Sequence, residues 1–514
     1  MWWVAGCVGG WTLRLVPRTL DSQTPFDGAP ELTLVMPGDG ETSTEVVLGP
    51  ADGELTLPDL GPLPLDGTIG LRVAEPADGA AYQEGLRAWG RSPVPGGVQG
   101  GRDEVTLEVL VPESHRVGLL GQFEPKDVRH FSAAAMIPGG DIFLFGGAQD
   151  PLADGSLSTI LALRGTDFGS VAPEVLGASL PTVAGGSGRG RVGAVAVVVL
   201  ENDKPLILVT GGRPTYLDTA GNLSQAFLFD PASESVVWEG EMAVGRSQHV
   251  AVPFANGEVL LVGGYQGDDG LGTGSYEYFD VPNRRFVDGD DALAFGNRGV
   301  GVADLGAEGV LMCGGASTCA QSDVDSGLCD SGDLGAMVPS AGCSVITPNR
   351  TVVETEPLPV ATQALSLAPV GDGRVLAVGG VATSAAEGVA VEATARAWVR
   401  SENGEWRGIG EALHARAHHA LLPIGNGNVL VVGGTTEGGS VLPDPRDAVT
   451  CIEVFQGDGE GFFEPVNGCS PVGAGADPVV ASWAGDGAFV LTGYRVVDGE
   501  YRGADAYGLI GLGP

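Results

Sequence analysis

The chain has 514 residues, of which 43% are hydrophobic and 18% charged, so it is long enough for a packed core and for more than one domain. Its formal net charge of -38 disfavours binding to nucleic-acid phosphates and to anionic lipid headgroups. No segment of the sequence is apolar over a length that would span a bilayer.

The N-terminus carries a short motif around a cysteine. Val4-Ala5-Gly6-Cys7 resembles the lipobox of bacterial lipoproteins, in which the cysteine is lipidated and becomes the mature N-terminus. The basic and apolar segments that precede such a motif are nearly absent here, so the start lies further upstream or the match is accidental. The resemblance implies a truncated signal over residues 1–9, a lipid on Cys7 as the only membrane contact, and a location in the bacterial cell envelope outside the cytoplasm. The alternative is an ordinary thiol at a chain end.

Residues 10–113 contain short apolar runs, several with period-2 alternation, separated by Pro, Gly and Asp. Such runs are typical of strands in a small antiparallel β-sandwich, Ig-like in architecture. The runs are Thr12 to Val16, Glu31 to Val35, Thr44 to Leu48, Glu54 to Leu57, Thr68 to Val73, Gly85 to Trp89 and Glu104 to Val111.

The rest of the chain repeats one composite motif, clearest from Arg246 to Asp288. A strand, an Asn-Gly turn, the run EVLLVGG, the segment YEYFD and a further aromatic strand follow one another there. Doubled glycines after an apolar run recur at 146–147, 211–212, 263–264, 314–315, 379–380 and 433–434, and a weaker copy ends in Thr492-Gly493. This pattern resembles the kelch repeat, each copy of which folds as one blade of a β-propeller. We therefore predict an all-β chain with a seven-bladed kelch-type propeller over residues 115–514; six blades and a divergent tail are the alternative.

The last repeat offers only three strands of its own. Open strand edges invite mispairing, so the ring needs a fourth strand to close it. We predict that residues 115–124, through Val117 to Phe123, supply the outer strand of the last blade.

Six cysteines remain besides Cys7, an even number that favours disulfides in an oxidising compartment. Fifteen pairings are open, and Cys451 with Cys469 is the easiest to defend because both lie in the sixth repeat. None has the spacing of a zinc site. The candidates are Cys313, Cys319, Cys329, Cys343, Cys451 and Cys469.

Arginine and histidine recur at the start of several repeats, 16 to 20 residues before the glycine doublet. Equivalent positions in a ring converge on its central channel, so these residues are candidates for an anion-binding channel mouth. The alternative is structural: they cap strands and hydrogen-bond neighbouring blades, as the kelch resemblance implies. The candidates are Arg129, His130, Arg246, His249, Arg298, Arg416 and His418; Arg191 and His419 follow the same pattern.

A long insertion, Ser317 to Ser344, lies in the fourth repeat, and insertions in repeat proteins often map to the binding face. Asp323 and Asp325 within it resemble the start of a Ca²⁺ loop, although the acidic twelfth position of an EF-hand is missing. We expect no cofactor apart from this candidate Ca²⁺. His418 and His419 should point to opposite faces of a strand, which disfavours a shared metal ion.

The kelch resemblance fixes a fold and leaves function open. The Tyr, Cys and His set of kelch copper oxidases is not visible, and neither are sialidase boxes, a nucleophile elbow or a P-loop. We therefore expect a non-catalytic, lipid-anchored binding protein that presents loops to a protein partner. The alternative is a carbohydrate-binding or carbohydrate-active propeller that uses the channel mouth, and a structural envelope component is a third reading.

Overall fold

The computed structural model of the chain describes residues 129–137, 141–149, 156–163, 173–182, 190–202, 204–215, 221–266, 275–289, 293, 298–319, 325, 331, 336–382, 385–386, 391–424, 427–438, 447–457, 461–463 and 469. Of the strands between 13 and 122 and between 479 and 511, only the backbone is described. The chain is all-β: antiparallel sheets dominate, and the 3-10 turn Gly306–Glu308 is a brief exception.

The N-terminal region forms one six-stranded sheet. Its first and last strands run parallel, with Leu13 opposite Val105, a pairing that the antiparallel prediction did not include. The predicted strand at Glu54 to Leu57 lies outside the described residues. In pairing order the strands are Leu13–Arg18, Val105–Leu110, Leu86–Pro93, Thr68–Ala74, Leu32–Pro37 and Ser43–Gly49.

The repeats fold as antiparallel sheets, which we number in chain order. Sheet 1 consists of Ala133–Met136, Ile142–Phe145, Thr159–Leu163 and Glu174–Ser179. Sheet 2 consists of Val195–Glu201, Lys204–Thr210, Gln225–Asp230 and Ser235–Glu241. Sheet 3 consists of Val250–Pro253, Glu258–Val262, Tyr276–Asp280 and Arg285–Asp288. Sheet 4 is built on Arg298–Asp304, Val310–Thr318, Cys343–Ile346 and Val352–Thr355.

The remaining sheets follow the same order of strands. Sheet 5 consists of Ser366–Pro369, Val375–Val378, Arg396–Arg400 and Trp406–Glu411. Sheet 6 consists of Ala420–Pro423, Val429–Val432, Ile452–Gln456 and Gly461–Phe463. Sheet 7 consists of Val479–Trp483, Gly487–Leu491, Ala506–Gly511 and Arg116–Gln122, the last of which comes from before sheet 1.

The second strand of each of sheets 1 to 6 is apolar because both of its faces are covered. The run Ile142–Phe145 is buried at every position, as are Val375–Val378 and Val429–Val432. Separate apolar clusters fill the spaces between sheets 1 and 2, 2 and 3, 3 and 4, 4 and 5, and 5 and 6. A sheet of this kind is stable only between two others, which is why neighbouring repeats fold together.

The first strands of neighbouring sheets lie against one another, and the series returns to its start. The strand Val195–Glu201 contacts the first strands of sheets 1 and 3, and Ser366–Pro369 contacts those of sheets 4 and 6. The strand Val479–Trp483 contacts both Ala420–Pro423 and Ala133–Met136. Sheet 7 therefore joins the last repeat to the first.

The glycine doublets follow the second strand in sheets 1, 2, 3, 5 and 6, and in sheet 4 the doublet lies within the strand Val310–Thr318. Both glycines adopt the left-handed backbone region, with φ between 62° and 96° across the doublets of sheets 1 to 6. A residue with a side chain is strained in that region, so glycine is the residue that adopts this backbone conformation at least cost.

The loops after the doublets leave at one end of the sheets and pair with each other. The insertion strand Ala336–Pro339 extends sheet 4 by pairing with Val310–Thr318, and it also pairs with Ala385–Ala386 from the next repeat. Val391–Glu392 pairs with Glu437–Gly438 in the same way. Backbone pairing thus links the loops of sheets 4, 5 and 6.

Disulfides join Cys313 to Cys343 and Cys451 to Cys469, and Cys319 is disulfide-bonded too. Cys7 and Cys329 lie outside the described residues. In the part of the chain that the structure describes, no helix is long and apolar enough to cross a membrane.

Candidate functional site: a central cavity

The recurring arginines are buried between strands. Arg246 is fully buried and donates hydrogen bonds to the Gly263 and Ser275 carbonyl oxygens at 3.5 and 3.4 Å and to Glu277 Oε1 at 2.9 Å. Arg416 makes the equivalent contacts in sheet 6, to the Gly433 carbonyl at 2.8 Å and to the Glu453 carboxylate. Each arginine therefore fastens the glycine doublet of its own sheet to the third strand.

The side-chain partners described for Arg129 and Arg191 are neutral, and they correspond in strand register to Ser275 of sheet 3. Arg129 donates to the Gly146 carbonyl at 3.0 Å and to Thr159 Oγ1 at 3.1 Å. Arg191 donates to Gln225 Oε1 at 2.7 Å, and burial lowers the pKa of Arg191 to about 10. Burial also lowers the pKa values of Arg246 and Arg416, an effect that their glutamates oppose.

Arg298 stands one position later than the other arginines. It pairs with Ala316, as His130 pairs with Ala148 and Ala417 with Thr435. Its guanidinium lies 4.6 Å from the centre of the Tyr265 ring, which Arg213 also approaches to 5.0 Å. Arg298 Nη1 contacts Met337 Sδ of the insertion strand at 3.2 Å.

A cavity of about 370 Å³ lies where the first strands of sheets 1 to 6 begin. None of the arginines is in its described wall. Arg246 and Arg416 donate instead to carbonyl and carboxylate oxygens inside their own sheets. Residues at equivalent positions at the start of the first strand of each sheet line the wall, and Gly264 and Tyr265 line it as well. They are Phe131 and Ser132, Gly193 to Val195, Gln248 to Val250, Gly299 and Val300, Ala364 to Ser366, and His418 to Ala420.

One backbone conformation recurs around this wall. Phe131, Gly193, Gln248, Gly299, Ala364 and His418 all have φ between 50° and 64°. Left-handed backbone at a non-glycine residue costs on the order of 1–3 kcal/mol, and such residues cluster at binding sites. The same backbone conformation thus recurs at the start of the first strand in all six sheets, and Phe131, Gln248, Ala364 and His418 carry side chains there.

The wall holds three histidines. Two of them, His249 and His419, are 4% and 6% exposed and occupy equivalent positions in sheets 3 and 6. Each ring packs on the first glycine of the preceding doublet: a Cβ on Gly211 would lie 3.1 Å from His249 Cε1, and one on Gly379 would lie 3.0 Å from His419 Cε1. A side chain at either glycine would displace the imidazole.

The two imidazoles differ in their hydrogen bonds. His249 Nε2 is hydrogen-bonded to Thr210 Oγ1 at 2.7 Å, and its Nδ1 has no partner in the described structure. Residue 378 corresponds to 210 and is valine, and neither ring nitrogen of His419 has a described partner. His418 Nε2 has none either. The sheet 6 side of the cavity therefore holds most of the unused hydrogen-bonding capacity.

These histidines are uncharged at neutral pH. Burial, followed by repulsion from Arg298, lowers the pKa of His418 to about 4. Burial and the charge of Arg246 lower the pKa of His249 well below 6.5. Burial, Arg416 and His418 do the same for the pKa of His419. Each neutral ring offers one donor and one acceptor.

The other sequence candidates are not brought into the cavity. His130 is buried outside the described wall, with Nε2 3.2 Å from the Gln149 carbonyl oxygen. Asp325 is exposed, and Asp323 lies outside the described residues. Of the predicted residues, His249 and His418 line the cavity. Sequence reasoning missed Gln248 and Tyr265, although Gln248 shares the offset from Arg246 that His418 has from Arg416.

No protein-family profile and no curated protein sequence matches the chain. Solved structures do match. One is the structure of YjhT, with 14% identity and a TM-score of 0.45 over 67% of this chain and 99% of that one. Another is a fungal alcohol oxidase of the AA5 family in complex with copper, with 12% identity and a TM-score of 0.55 over 77% of this chain and 76% of that one. At 12% identity the likeness to the alcohol oxidase establishes the fold alone, and the sheets described above fit a β-propeller.

Proposed function

We propose that the protein is a non-catalytic binding protein whose central cavity holds a neutral ligand rich in hydroxyl groups, such as a carbohydrate. The observation that carries this proposal is the pair of neighbouring imidazoles in the cavity wall, His418 and His419: His418 Nε2 and both ring nitrogens of His419 are buried without a described hydrogen-bond partner. A buried polar group without a partner costs about 1–3 kcal/mol. A ligand that supplies the missing hydrogen bonds recovers that free energy.

The chemistry of the wall favours hydroxyl groups over ions. The imidazoles are neutral, and Glu277 and Glu453 compensate Arg246 and Arg416. A net charge of -38 repels anions. A hydroxyl group both donates and accepts, which suits neutral imidazole. The cavity volume of about 370 Å³ falls within the range of roughly 300–1,000 Å³ usual for small-molecule sites.

A protein partner on the loops is the second candidate. The pairing of Ala336–Pro339 with Ala385–Ala386, and of Val391–Glu392 with Glu437–Gly438, supports it because paired loops present an ordered surface. Such a surface would lie beside the cavity, since Met337 of the insertion contacts Arg298. If a partner binds there, deleting residues 320–335 will abolish its capture while His419→Ala leaves it intact.

Copper chemistry is not part of the proposal. The copper in the fungal alcohol oxidase belongs to that protein. Tyr265, His418 and His419 supply nitrogen and oxygen donors here, but every cysteine that the structure describes is disulfide-bonded, which leaves no thiolate for a Tyr, Cys and His set. Nor do the three cavity histidines form a described group with ligand atoms within 4.8 Å of one another.

We further propose seven kelch-type blades over residues 115–514, with 115–124 closing the last, and a separate Ig-like domain over residues 10–113. The pairing of Arg116–Gln122 with Ala506–Gly511 supports the closure. We also retain the lipid on Cys7 and the cell-envelope location from the sequence. Fatty-acid labelling that persists in Cys7→Ser would contradict the lipid.

The test of the ligand proposal is a glycan array of neutral and charged glycans, followed by calorimetry with the best binder. We expect a neutral glycan to bind, and His419→Ala to weaken its binding about tenfold, since one lost hydrogen bond is worth about 1.4 kcal/mol. His130→Ala is the matched control, a buried histidine outside the described wall. No glycan binding, or equal binding by wild type and His419→Ala, would contradict the proposal.

A further inference from the structure

A second cluster of donor atoms lies in sheet 6, outside the cavity wall. The ligand atoms of His414, Cys451 and Cys469 all lie within 4.8 Å of one another, and all three residues are half-buried. The two cysteines form a disulfide. The proposed ligand site does not use any of these groups.

The backbone around this cluster is held in place by hydrogen bonds to two buried charged side chains, Glu453 and Arg416. Glu453 accepts hydrogen bonds from the backbone N–H groups of Leu413 at 2.6 Å and His414 at 3.1 Å. Arg416 donates to the Cys451 carbonyl oxygen at 3.3 Å. The buried Arg416–Glu453 pair thus holds the backbone of His414 beside that of Cys451 by hydrogen bonds that do not involve the disulfide.

We propose that the chain with Cys451–Cys469 reduced binds Zn²⁺ through the two thiolates and the His414 imidazole, with water as the fourth ligand. Two thiolates and one imidazole with an open position form a known tetrahedral zinc environment. In such a site the ligand atoms lie about 3.5–3.8 Å apart, as follows from Zn–S of about 2.3 Å and Zn–N of about 2.0 Å. The ligand atoms already lie within 4.8 Å of one another, so Zn²⁺ binding requires only that the freed side chains rotate to that spacing.

The site is closed by oxidation and opened by a dithiol reductant. The disulfide takes up two electrons and two protons from a dithiol, which itself becomes a disulfide. Binding of Zn²⁺ then releases the two thiol protons to solvent. Metal binding is therefore conditional on the redox state of this one pair.

The Cys313–Cys343 disulfide supplies an internal comparison. Cys313 is 0% and Cys343 3% exposed, whereas Cys451 and Cys469 are half-buried, so a reductant reaches the sheet 6 pair first. Within the described residues, the Cys313–Cys343 pair belongs to no such three-ligand group. Reduction there provides two thiols without an imidazole.

The test uses the full chain, reduced with a dithiol, freed of it without oxygen and titrated with Co²⁺ as a spectroscopic stand-in for Zn²⁺. We expect thiolate-to-cobalt and tetrahedral absorption bands in the reduced chain, bleached by one equivalent of Zn²⁺, and none in the oxidised chain. The double variant Cys451→Ser/Cys469→Ser should lose the bands. His414→Asn should weaken Co²⁺ binding at least about tenfold, in line with the loss of one ligand.

The double variant Cys313→Ser/Cys343→Ser is the matched control and should keep the bands. Circular dichroism of each variant checks the fold. Equal bands in the oxidised chain, or bands that survive in Cys451→Ser/Cys469→Ser, would overturn the proposal. So would a reduced, folded chain that binds no Co²⁺.

Discussion

Sheets 3 and 6 carry the same framework and differ at the cavity. Both have a fully buried arginine paired with a glutamate on the third strand, and a histidine three residues after the arginine. Only His249 has a hydroxyl partner, Thr210; His419 faces Val378 at that place. The two sheets therefore share the buried Arg–Glu pair that supports the fold, while the side chains beside it in the cavity differ.

The largest expected effect comes from breaking the framework in either sheet. Arg416→Leu leaves the buried Glu453 without its cation, and Arg246→Leu does the same to Glu277. We expect each to lower the free energy of unfolding by about 3–5 kcal/mol. Thermal and urea unfolding measure the loss.

Two further variants sharpen that result. Arg285→Leu breaks an exposed ion pair in sheet 3, with Arg285 67% exposed, and should cost no more than about 1 kcal/mol. The double variant Arg416→Leu/Glu453→Leu should recover part of the loss, because no uncompensated charge stays buried. If Arg416→Leu were as mild as Arg285→Leu, the Arg–Glu pair would not be part of the framework.

The sequence alone predicted much of this framework and little of the site. The spacing from arginine to glycine doublet placed Arg129, Arg246 and Arg416 at equivalent positions, because a repeat fixes which residues share a location. It did not reveal that Glu277 and Glu453 neutralise two of them, since these partners lie 31 and 37 residues further on. Sheets 1 and 2 have Leu161 and Phe227 at the corresponding position of the third strand.

The sequence also did not show that Arg298 is offset by one residue from Arg129, Arg246 and Arg416. A step of 16 residues, where Arg129, Arg246 and Arg416 have 17, is enough to shift its side chain from the doublet to the Tyr265 ring. Spacing along the chain does not tell such a shift from a shortened turn. Only the strand pairing, with Arg298 opposite Ala316, identifies the equivalent residue.

The next largest expected effect is on the pH dependence of folding stability. It concerns the position where sheet 6 has His418 and sheet 3 has Gln248. The pKa of His418 falls from 6.5 in the unfolded chain to about 4 in the folded one, so the folded state binds fewer protons between these values. Its contribution to stability is complete above pH 6.5 and is lost as the pH falls towards 4, about 3 kcal/mol in all. The lowered pKa values of His249 and His419 act in the same direction.

His418→Gln copies the sheet 3 residue into sheet 6. Both residues have a left-handed backbone, with φ of 54° at His418 and 51° at Gln248, so the exchange adds no backbone strain. We expect the melting temperature of the variant to fall less than that of wild type between pH 7 and pH 4. Melting curves recorded at steps of half a pH unit measure this difference. Parallel pH profiles for the two proteins would show that His418 is not held neutral by the fold.

The smallest effects come from exchanging the histidine partners themselves. Thr210→Val removes the hydroxyl from His249 and should cost about 1–3 kcal/mol, because a buried ring nitrogen loses its hydrogen bond. Val378→Thr offers His419 a hydroxyl at the equivalent place and should add about 0.5–1.5 kcal/mol of stability. A ligand that bonds to His419 must then compete with the introduced hydroxyl group. Val378→Thr should therefore raise the melting temperature and weaken glycan binding. Thr210→Val should lower the melting temperature and leave glycan binding to the sheet 6 side unchanged. Opposite movement of stability and affinity in Val378→Thr separates a vacant ligand position from an ordinary packing contact, for which both would move in the same direction.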